Sequence, residues 1–195
     1  MVTSTDPTRT MRADARQNRE KLLAAAGELF ATSGGEVSLE AVARHAGLGI
    51  GTLYRHFPTR DALVEAAYRN EVERLCAAAE ELQRAHPPDV ALAGWMDRFV
   101  TYIAAKRGMA DALQSILASN SDLFANARTQ LSGALTSLLE AASAAGSIRT
   151  DVEPEDVFRA MSVIWLVTDD EDWHERSRRQ LRLLMDGLRY GAASA

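Results

Sequence analysis

The 195-residue chain has few of the signals that define several other classes of protein. It has one cysteine, Cys76, so it can form no internal disulfide bond. It shows no apolar run typical of a signal peptide or a membrane-spanning helix, no internal repeat, and no alternating pattern that indicates a strand. Its 47% of hydrophobic residues are enough for a packed core. We therefore expect a cytoplasmic all-α protein that folds unaided.

Signals for catalysis and metal binding are also scarce. Cys76 has no activating base or second cysteine beside it, and the glycines of residues 47–51 follow a helix rather than a strand, unlike a phosphate-binding loop. The acidic run 169–172, with His174, matches no zinc or calcium spacing and more simply favours the start of a helix at Trp173. We expect no catalytic residue, no metal site and no cofactor, and therefore no enzyme.

The charge of the chain is unevenly distributed. A net formal charge of −5 argues against a nucleic-acid partner when the chain is taken as a whole. Residues 1–60, however, carry eight basic and six acidic residues, a net charge of +2, and the remainder carries −7. Because salt screens charges over about 8 to 10 Å, a basic N-terminal part can bind phosphates in front of an acidic body.

The segment from Ser38 to Phe57 contains two short helical stretches joined by a glycine-bearing turn. Ser38 is a good N-cap, and apolar residues follow it at helical spacing: Leu39, Val42, Ala43 and Ala46. Gly47 ends the first helix, and Leu53 and Phe57 turn one face of the second helix toward the core. This arrangement is typical of a helix-turn-helix DNA-binding unit.

The outer face of the second helix is unusual for a solvated surface. It carries Ile50, Gly51, Thr52, Tyr54, Arg55 and His56, where glutamate and lysine are the ordinary residues. Hydroxyl groups, a guanidinium and an imidazole suit phosphates and base edges, and a glycine allows the backbone to approach a ligand closely. We interpret this face as a DNA-contacting surface.

From Arg16 to Leu63 the chain resembles the N-terminal domain of the TetR family of transcriptional regulators. The resemblance rests on LLAAAGELFATSGG, on SLEAVARHAGLGIGTLYRHFPTRDAL, and above all on LYRHF followed by Pro58. It implies a three-helix DNA-binding domain and a larger helical domain for ligand binding and dimerisation. Two positions depart from the family: Gly49 stands where serine is common, and Ile50 where lysine is common. The first loses a hydroxyl for phosphate, and the second can meet a thymine methyl instead.

The residues and the resemblance together predict a set of DNA contacts. The set is Arg16, Ser38, Arg44, Ile50, Gly51, Thr52, Tyr54, Arg55, His56 and Arg60. Ser38 is expected to cap its helix, and Arg60 stands where the family usually has a lysine clamp. Arg55 is a candidate for a base edge, although a phosphate or an intramolecular role is nearly as well supported.

The remaining sequence predicts helices separated by proline, glycine and asparagine. We expect them over residues 14–32, 59–84, 89–106, 109–118, 123–145, 154–168 and 173–190, about nine in total with the two short ones. The expected divisions are a flexible arm at 1–12, the helix-turn-helix domain at 13–58, and an effector-binding and dimerisation domain at 59–195. The helix over 59–84 would link the helix-turn-helix domain to the effector-binding and dimerisation domain.

Aromatic residues and methionines concentrate in the middle helices. The candidates for an effector site are Trp95, Phe99, Tyr102, Met109, Leu113, Phe124 and Trp165. Each of them suits ordinary core packing as well as an apolar cavity, and both interpretations stay open for any one residue. The resemblance implies that some subset lines a pocket, because the body domain of the family usually houses an effector.

The last two expected helices carry apolar stripes. These are Val157, Met161, Ile164, Leu181, Leu184, Met185 and Leu188. By pattern alone such stripes are more often core than interface. The resemblance implies instead that the final two helices pair with those of a second copy, which matches the two-fold symmetry of operators. We therefore expect a homodimer.

The functional hypothesis is a homodimeric repressor that a small molecule releases from its operator. The expected partners are double-stranded operator DNA, a small apolar or amphipathic effector and a second copy of the chain, with no membrane. The expected location is the cytoplasm, in association with the nucleoid. The alternative is a ligand-independent DNA-binding dimer, or an activator whose body docks another protein.

Overall fold

The computed structural model describes residues 7–32, 37–166 and 172–192. All regular secondary structure in these ranges is helical. The helices are α1 (Pro7–Thr32), α2 (Leu39–His45), α3 (Ile50–His56), α4 (Arg60–Ala85), α5 (Pro88–Gly108), α6 (Ala110–Ser119), α7 (Ser121–Ala144), α8 (Pro154–Ser162) and α9 (Trp173–Arg189), with a 3-10 turn at Val163–Leu166. The all-α class is confirmed. We call α1–α3 the reader and α4–α9 the body.

Two helix boundaries differ from the sequence-based expectation by more than two residues. The first helix begins at Pro7 rather than at residue 14, so the expected irregular arm is wrong for residues 7–12. Proline suits the first turn of a helix, where its missing N–H has no partner to lose. The eighth α-helix ends at Ser162 and tightens into the 3-10 turn. Residues 1–6, the glycines at 34 and 35, and the expected helix end at 168 lie outside the described residues.

The core is continuous from the reader into the body. The central pair is α4 and α5, and α1, α7 and α9 pack around it. Trp95 on α5 is fully buried, and its indole Nε1 donates a hydrogen bond of 2.8 Å to the Leu75 carbonyl on α4. Burial of large aromatic side chains with satisfied polar atoms fixes α4 against α5.

The first helix approaches its neighbours in the body very closely at two glycines. A Cβ placed on Gly108 of α5 would lie 1.9 Å from the carbonyl oxygen of Phe30 on α1. A Cβ placed on Gly27 of α1 would lie 2.3 Å from Oε1 of Glu71 on α4. At Gly108 the neighbouring atoms are backbone, so only glycine permits this approach of α1 to α5, whereas at Gly27 the neighbour is the end of the Glu71 side chain.

Within residues 7–32, 37–166 and 172–192, none of the helices is both long enough and apolar enough to cross a bilayer.

Candidate functional site

The turn between α2 and α3 has the local geometry that the sequence predicts. Ser38 caps α2, because its Oγ accepts a hydrogen bond of 3.1 Å from the Ala41 amide. Gly47 has a φ of +68°, in the left-handed region that favours glycine. Gly49 is the N-cap of α3 and makes no side-chain hydrogen bond. These signals involve residues close together in the sequence, which is why the sequence alone predicts both helices.

The second helix of this motif divides cleanly into an inner and an outer face. Leu53 and Phe57 are buried in the core, as predicted. Ile50, Tyr54 and Arg55 are exposed, and a Cβ added to Gly51 would have no heavy atom within 4 Å. Among the described residues, the outer face of α3 is therefore open at Gly51 and exposed at its neighbours.

Several polar side chains of the predicted DNA set already have partners within the chain. Arg55 Nε donates to the Gly51 carbonyl at 3.2 Å, so its guanidinium folds back over the first turn of α3. Arg60 Nη1 donates to the carbonyl of Val37, which ties the start of α4 to the residue before the Ser38 cap. Arg16 lies on α1 with its Nε 3.7 Å from Glu20 Oε1, an exposed pair of little energetic weight.

The other members of the set remain accessible to different degrees. Arg44 is exposed near the end of α2, while Thr52 and His56 are half-buried on α3. The His56 ring lies beside that of Phe57, with 6.3 Å between centroids. The set is thus centred on α3, with Arg44, Arg60 and Arg16 on three other helices.

Sequence reasoning missed two contacts that fix the reader. The Arg19 guanidinium of α1 lies over the Phe57 ring, 5.3 Å from its centroid, and steadies the end of α3. His45 Nε2 lies 2.8 Å from Glu28 Oε2 and joins α2 to α1. Both contacts cross between helices, so no spacing within the sequence indicates them.

The body contains a cavity of about 460 Å³ between α4, α5, α7 and α8. Four of the predicted effector residues line it: Phe99, Tyr102, Phe124 and Trp165. Its other lining residues, which the sequence analysis missed, are Tyr68, Ile103, Lys106, Arg128, Leu131, Phe158 and Ser162. A volume of this size falls in the range of roughly 300 to 1,000 Å³ common for small-molecule sites.

Three of the predicted effector residues do not line this cavity. Trp95, Met109 and Leu113 are buried in the core of the chain and absent from the cavity wall. Trp95 turns its indole toward α4, where it hydrogen-bonds the Leu75 carbonyl. A helix carries aromatic residues on more than one side, and only its contacts decide which side meets the cavity.

The cavity wall includes polar groups among its aromatic side chains. The hydroxyls of Tyr68 on α4 and Tyr102 on α5 lie 3.2 Å apart and share a hydrogen bond. Burial raises the pKa of both phenols, so both keep their protons near neutral pH. Lys106 Nζ lies 5.0 Å from the Trp165 ring centroid and 6.0 Å from that of Phe124. Burial lowers the pKa of the Lys106 ammonium below its ordinary value.

The residues predicted to form the dimer interface are mostly core residues of the single chain. Val157, Met161, Ile164, Leu181, Met185 and Leu188 are each at most 5% exposed, and Leu184 is half-buried. In the single chain, α8 and α9 turn this stripe toward α5 and α7, and the assignment of these residues to a dimer interface stays a prediction. The outer side of α9 instead presents Leu183, 71% exposed, and Tyr190, 80% exposed.

The remaining candidates for chemistry have no supporting geometry. The part of the acidic run at 169–171 lies outside the described residues, and His174 packs edge-on against Trp173 with 4.8 Å between centroids. Among the residues that the structure describes, no three metal-ligating side chains come together. Cys76 is half-buried, and burial raises the pKa of its thiol, which disfavours the reactive thiolate.

Comparison with known proteins accounts for both parts of the chain. Residues 22–67 match the profile of bacterial regulatory proteins of the tetR family, and residues 87–190 match that of the C-terminal domain of SbtR-like transcriptional regulators. An HTH-type transcriptional regulator of Staphylococcus aureus (strain USA300) is 43% identical over 54 residues, which make up 27% of this chain and 29% of that relative. The chain thus matches less than a third of the length of that relative.

Solved structures extend the similarity over nearly the whole chain. A TetR transcriptional regulator from Streptomyces coelicolor is 48% identical, with a TM-score of 0.82 over 89% of this chain and 99% of its own. The TetR transcription regulatory protein from Mycobacterium vanbaalenii is 35% identical, with a TM-score of 0.74 over 92% of this chain and 99% of its own. Regulators of this kind are DNA-binding transcription factors and not enzymes. The chain belongs to the TetR family of transcriptional regulators.

Proposed function

We propose that this regulator is a cytoplasmic homodimeric repressor, associated with the nucleoid, that a small molecule releases from its operator. The observation that carries the proposal is the position of the cavity. Its walls include α4 and α5, the two body helices against which α1 of the reader packs. A molecule that changes the spacing of α4 and α5 therefore acts directly on the reader.

The proposed reading surface is the outer face of α3. Its exposed Ile50 and Tyr54, with open space at Gly51, suit the major groove, while Thr52 and His56 suit phosphates. The test is fluorescence anisotropy of the purified chain against short duplexes that tile the DNA upstream of its own gene, at two salt concentrations. Tight binding to one tile with a steep salt dependence supports the proposal, and equal weak binding to all tiles contradicts operator recognition there.

Replacing Arg55 by alanine distinguishes base reading from phosphate binding. In the free chain this guanidinium rests on the Gly51 carbonyl, an exposed contact that it can exchange for a base edge. If the contact is bidentate to guanine, Arg55→Ala should weaken operator binding by about 1 to 3 kcal/mol and relax the preference at one base pair. Anisotropy with single-base operator variants measures this. Equal weakening on every variant would assign Arg55 to a phosphate.

The proposed release mechanism begins at the hydrogen bond between Tyr68 and Tyr102, which joins α4 to α5 in the cavity wall. A ligand that separates these hydroxyls changes how α4 and α5 pack, and α1 follows because Gly108 leaves it no clearance from α5. A ligand that favours the DNA-incompetent arrangement by about 3 kcal/mol weakens operator affinity about a hundredfold. The fall in operator affinity with added ligand is the measurable quantity.

We propose that dimerisation uses the outer face of the last two helices. Leu183 and Gly187 are exposed on one side of α9, one helical turn apart, Tyr190 is exposed directly after the helix ends, and Val163 is exposed beside α8. A two-fold pairing through this face gives the symmetry that a two-fold operator requires.

An aspartate at the centre of this face tests the dimer. Leu183→Asp should raise the dimer dissociation constant by at least about a hundredfold, because pairing would bury an uncompensated charge. Sedimentation equilibrium measures the constant. Leu117→Asp is the matched control, because Leu117 is an exposed leucine on α6, 48% accessible, and the variant should stay dimeric. Dimers of unchanged stability in Leu183→Asp would place the interface elsewhere.

A further inference from the structure

Lys106 is an unusual cation for this chain and for its place in the fold. The sequence has only two lysines, Lys21 and Lys106, among 22 basic residues. Lys106 lies on α5 in the wall of the cavity, with its ammonium between the rings of Phe124 and Trp165. Within the described residues, no carboxylate lies within 4.0 Å of its Nζ.

The second cation of the cavity already has a carboxylate partner. Arg128 Nη2 donates to Glu155 Oε1, and its guanidinium lies over the Phe158 ring. Glu155 also accepts a hydrogen bond of 3.0 Å from Arg159 Nε at the surface. Within the described residues, Lys106 is therefore the cation of the cavity wall that has no carboxylate partner.

The hydroxyl groups of the cavity wall leave one proton available for donation. The Ser162 hydroxyl donates to the Phe158 carbonyl at 2.8 Å. The Tyr68 and Tyr102 hydroxyls have two protons between them, and their shared hydrogen bond uses one. The other proton can be donated to a ligand oxygen, and the remaining wall is aromatic or aliphatic.

We propose that the cavity binds an apolar monocarboxylate with an aromatic body, whose carboxylate pairs with Lys106. One carboxylate matches one uncompensated ammonium, whereas a phosphate dianion would keep a surplus negative charge and a neutral ligand would leave the ammonium unpaired. The aromatic body stacks among Phe99, Phe124 and Trp165, and an additional ligand oxygen can accept from the tyrosine pair. The effector role of this ligand rests on the function proposed above.

The test compares two probes that share one ring system and differ in charge, 1-naphthoate and 1-naphthamide, by isothermal titration calorimetry. The intact chain should bind the carboxylate at least about tenfold more tightly than the amide, since both can accept a hydrogen bond from the ammonium but only the carboxylate adds the attraction between opposite charges. Lys106→Met keeps the length of the side chain and should abolish this preference. Lys21→Met removes the same charge from the exposed surface of α1 and should keep it.

A conservative variant and a spectroscopic measurement test the proposal even if Lys106→Met does not fold. Lys106→Arg keeps the charge and should retain the preference for the carboxylate. NMR of chains with ¹³Cε-labelled lysine gives only two lysine signals, which Lys21→Met assigns. A bound anion favours the charged ammonium, so 1-naphthoate should raise the pKa of Lys106 while 1-naphthamide should not.

The outcomes separate the ligand class from the proposed function. Equal affinity for both probes, no binding of either, or a preference that survives Lys106→Met with its fold intact would overturn the monocarboxylate proposal. Operator affinity, measured by anisotropy with and without the probes, tests release. Carboxylate binding at Lys106 that leaves operator affinity unchanged would support the ligand class and contradict the repressor-release function.

Discussion

Gly51→Glu should abolish operator binding while leaving the chain folded. Gly51 is the second residue of α3, is exposed, and has no heavy atom within 4 Å of where a Cβ would be. A glutamate there is well tolerated by the helix, because it has a higher helix propensity than glycine and an acidic group in the first turn suits the helix dipole. On DNA the same carboxylate would face phosphates.

The expected loss of affinity is more than about a hundredfold, because like charges brought together at an interface cost several kcal/mol. Fluorescence anisotropy on the operator tile measures it, and circular dichroism checks the fold. Gly133→Glu is the matched control: Gly133 is an exposed glycine inside α7 with equally open surroundings, and the variant changes the net charge by the same amount. Unchanged operator binding by Gly51→Glu would show that α3 is not the helix that contacts the DNA groove.

Gly108→Ala should destabilise the chain, although it adds only a methyl group. That methyl carbon would lie 1.9 Å from the Phe30 carbonyl oxygen and 2.7 Å from its carbonyl carbon. The obstacle is backbone and cannot rotate away, so α1 and α5 must move apart. Overpacking of this kind costs about 1 to 3 kcal/mol. Operator affinity should change as well, because α1 supports α2 and α3.

The control for this variant should raise the free energy of unfolding instead of lowering it. Gly133→Ala meets nothing within 4 Å inside α7, so it should stabilise the chain by about 0.5 to 1 kcal/mol through helix propensity. Urea unfolding followed by circular dichroism gives both free energies of unfolding. If the two variants changed the free energy of unfolding equally, the close contact of α1 with α5 would be absent in solution.

What the sequence predicts well here is local, and what it predicts badly depends on packing between distant segments. The Ser38 cap and the positive φ of Gly47 involve neighbouring residues, so the helix-turn-helix could be placed correctly. For the stripe containing Val157 and Met185, the pattern alone favours core and the resemblance implies a dimer interface. The stripe is buried within the single chain, and a periodic pattern indicates only that one side of a helix is buried and not what covers it.

The cavity residues likewise fall into those that the sequence indicates and those that only the packing of the helices reveals. Phe99 and Phe124 were identified by composition, because aromatic residues suit an apolar site. Lys106 and Tyr68 were missed, since a lysine or tyrosine on a helix is ordinarily a surface or core residue, and only the fold turns these two toward the same space. The charge of the site, and hence its proposed ligand class, therefore required the structure.

The contact of Phe30 with Gly108 also limits how this regulator can exchange parts with its relatives. A chimera joined near residue 58 would combine a foreign first helix with a body whose α5 is fitted to this one at backbone distance. Recombination at that point would give a strained hybrid unless the glycine and its partner came from the same parent. New operator specificity should therefore arise more readily by substitutions along Ile50–His56 than by transplanting a whole DNA-binding unit.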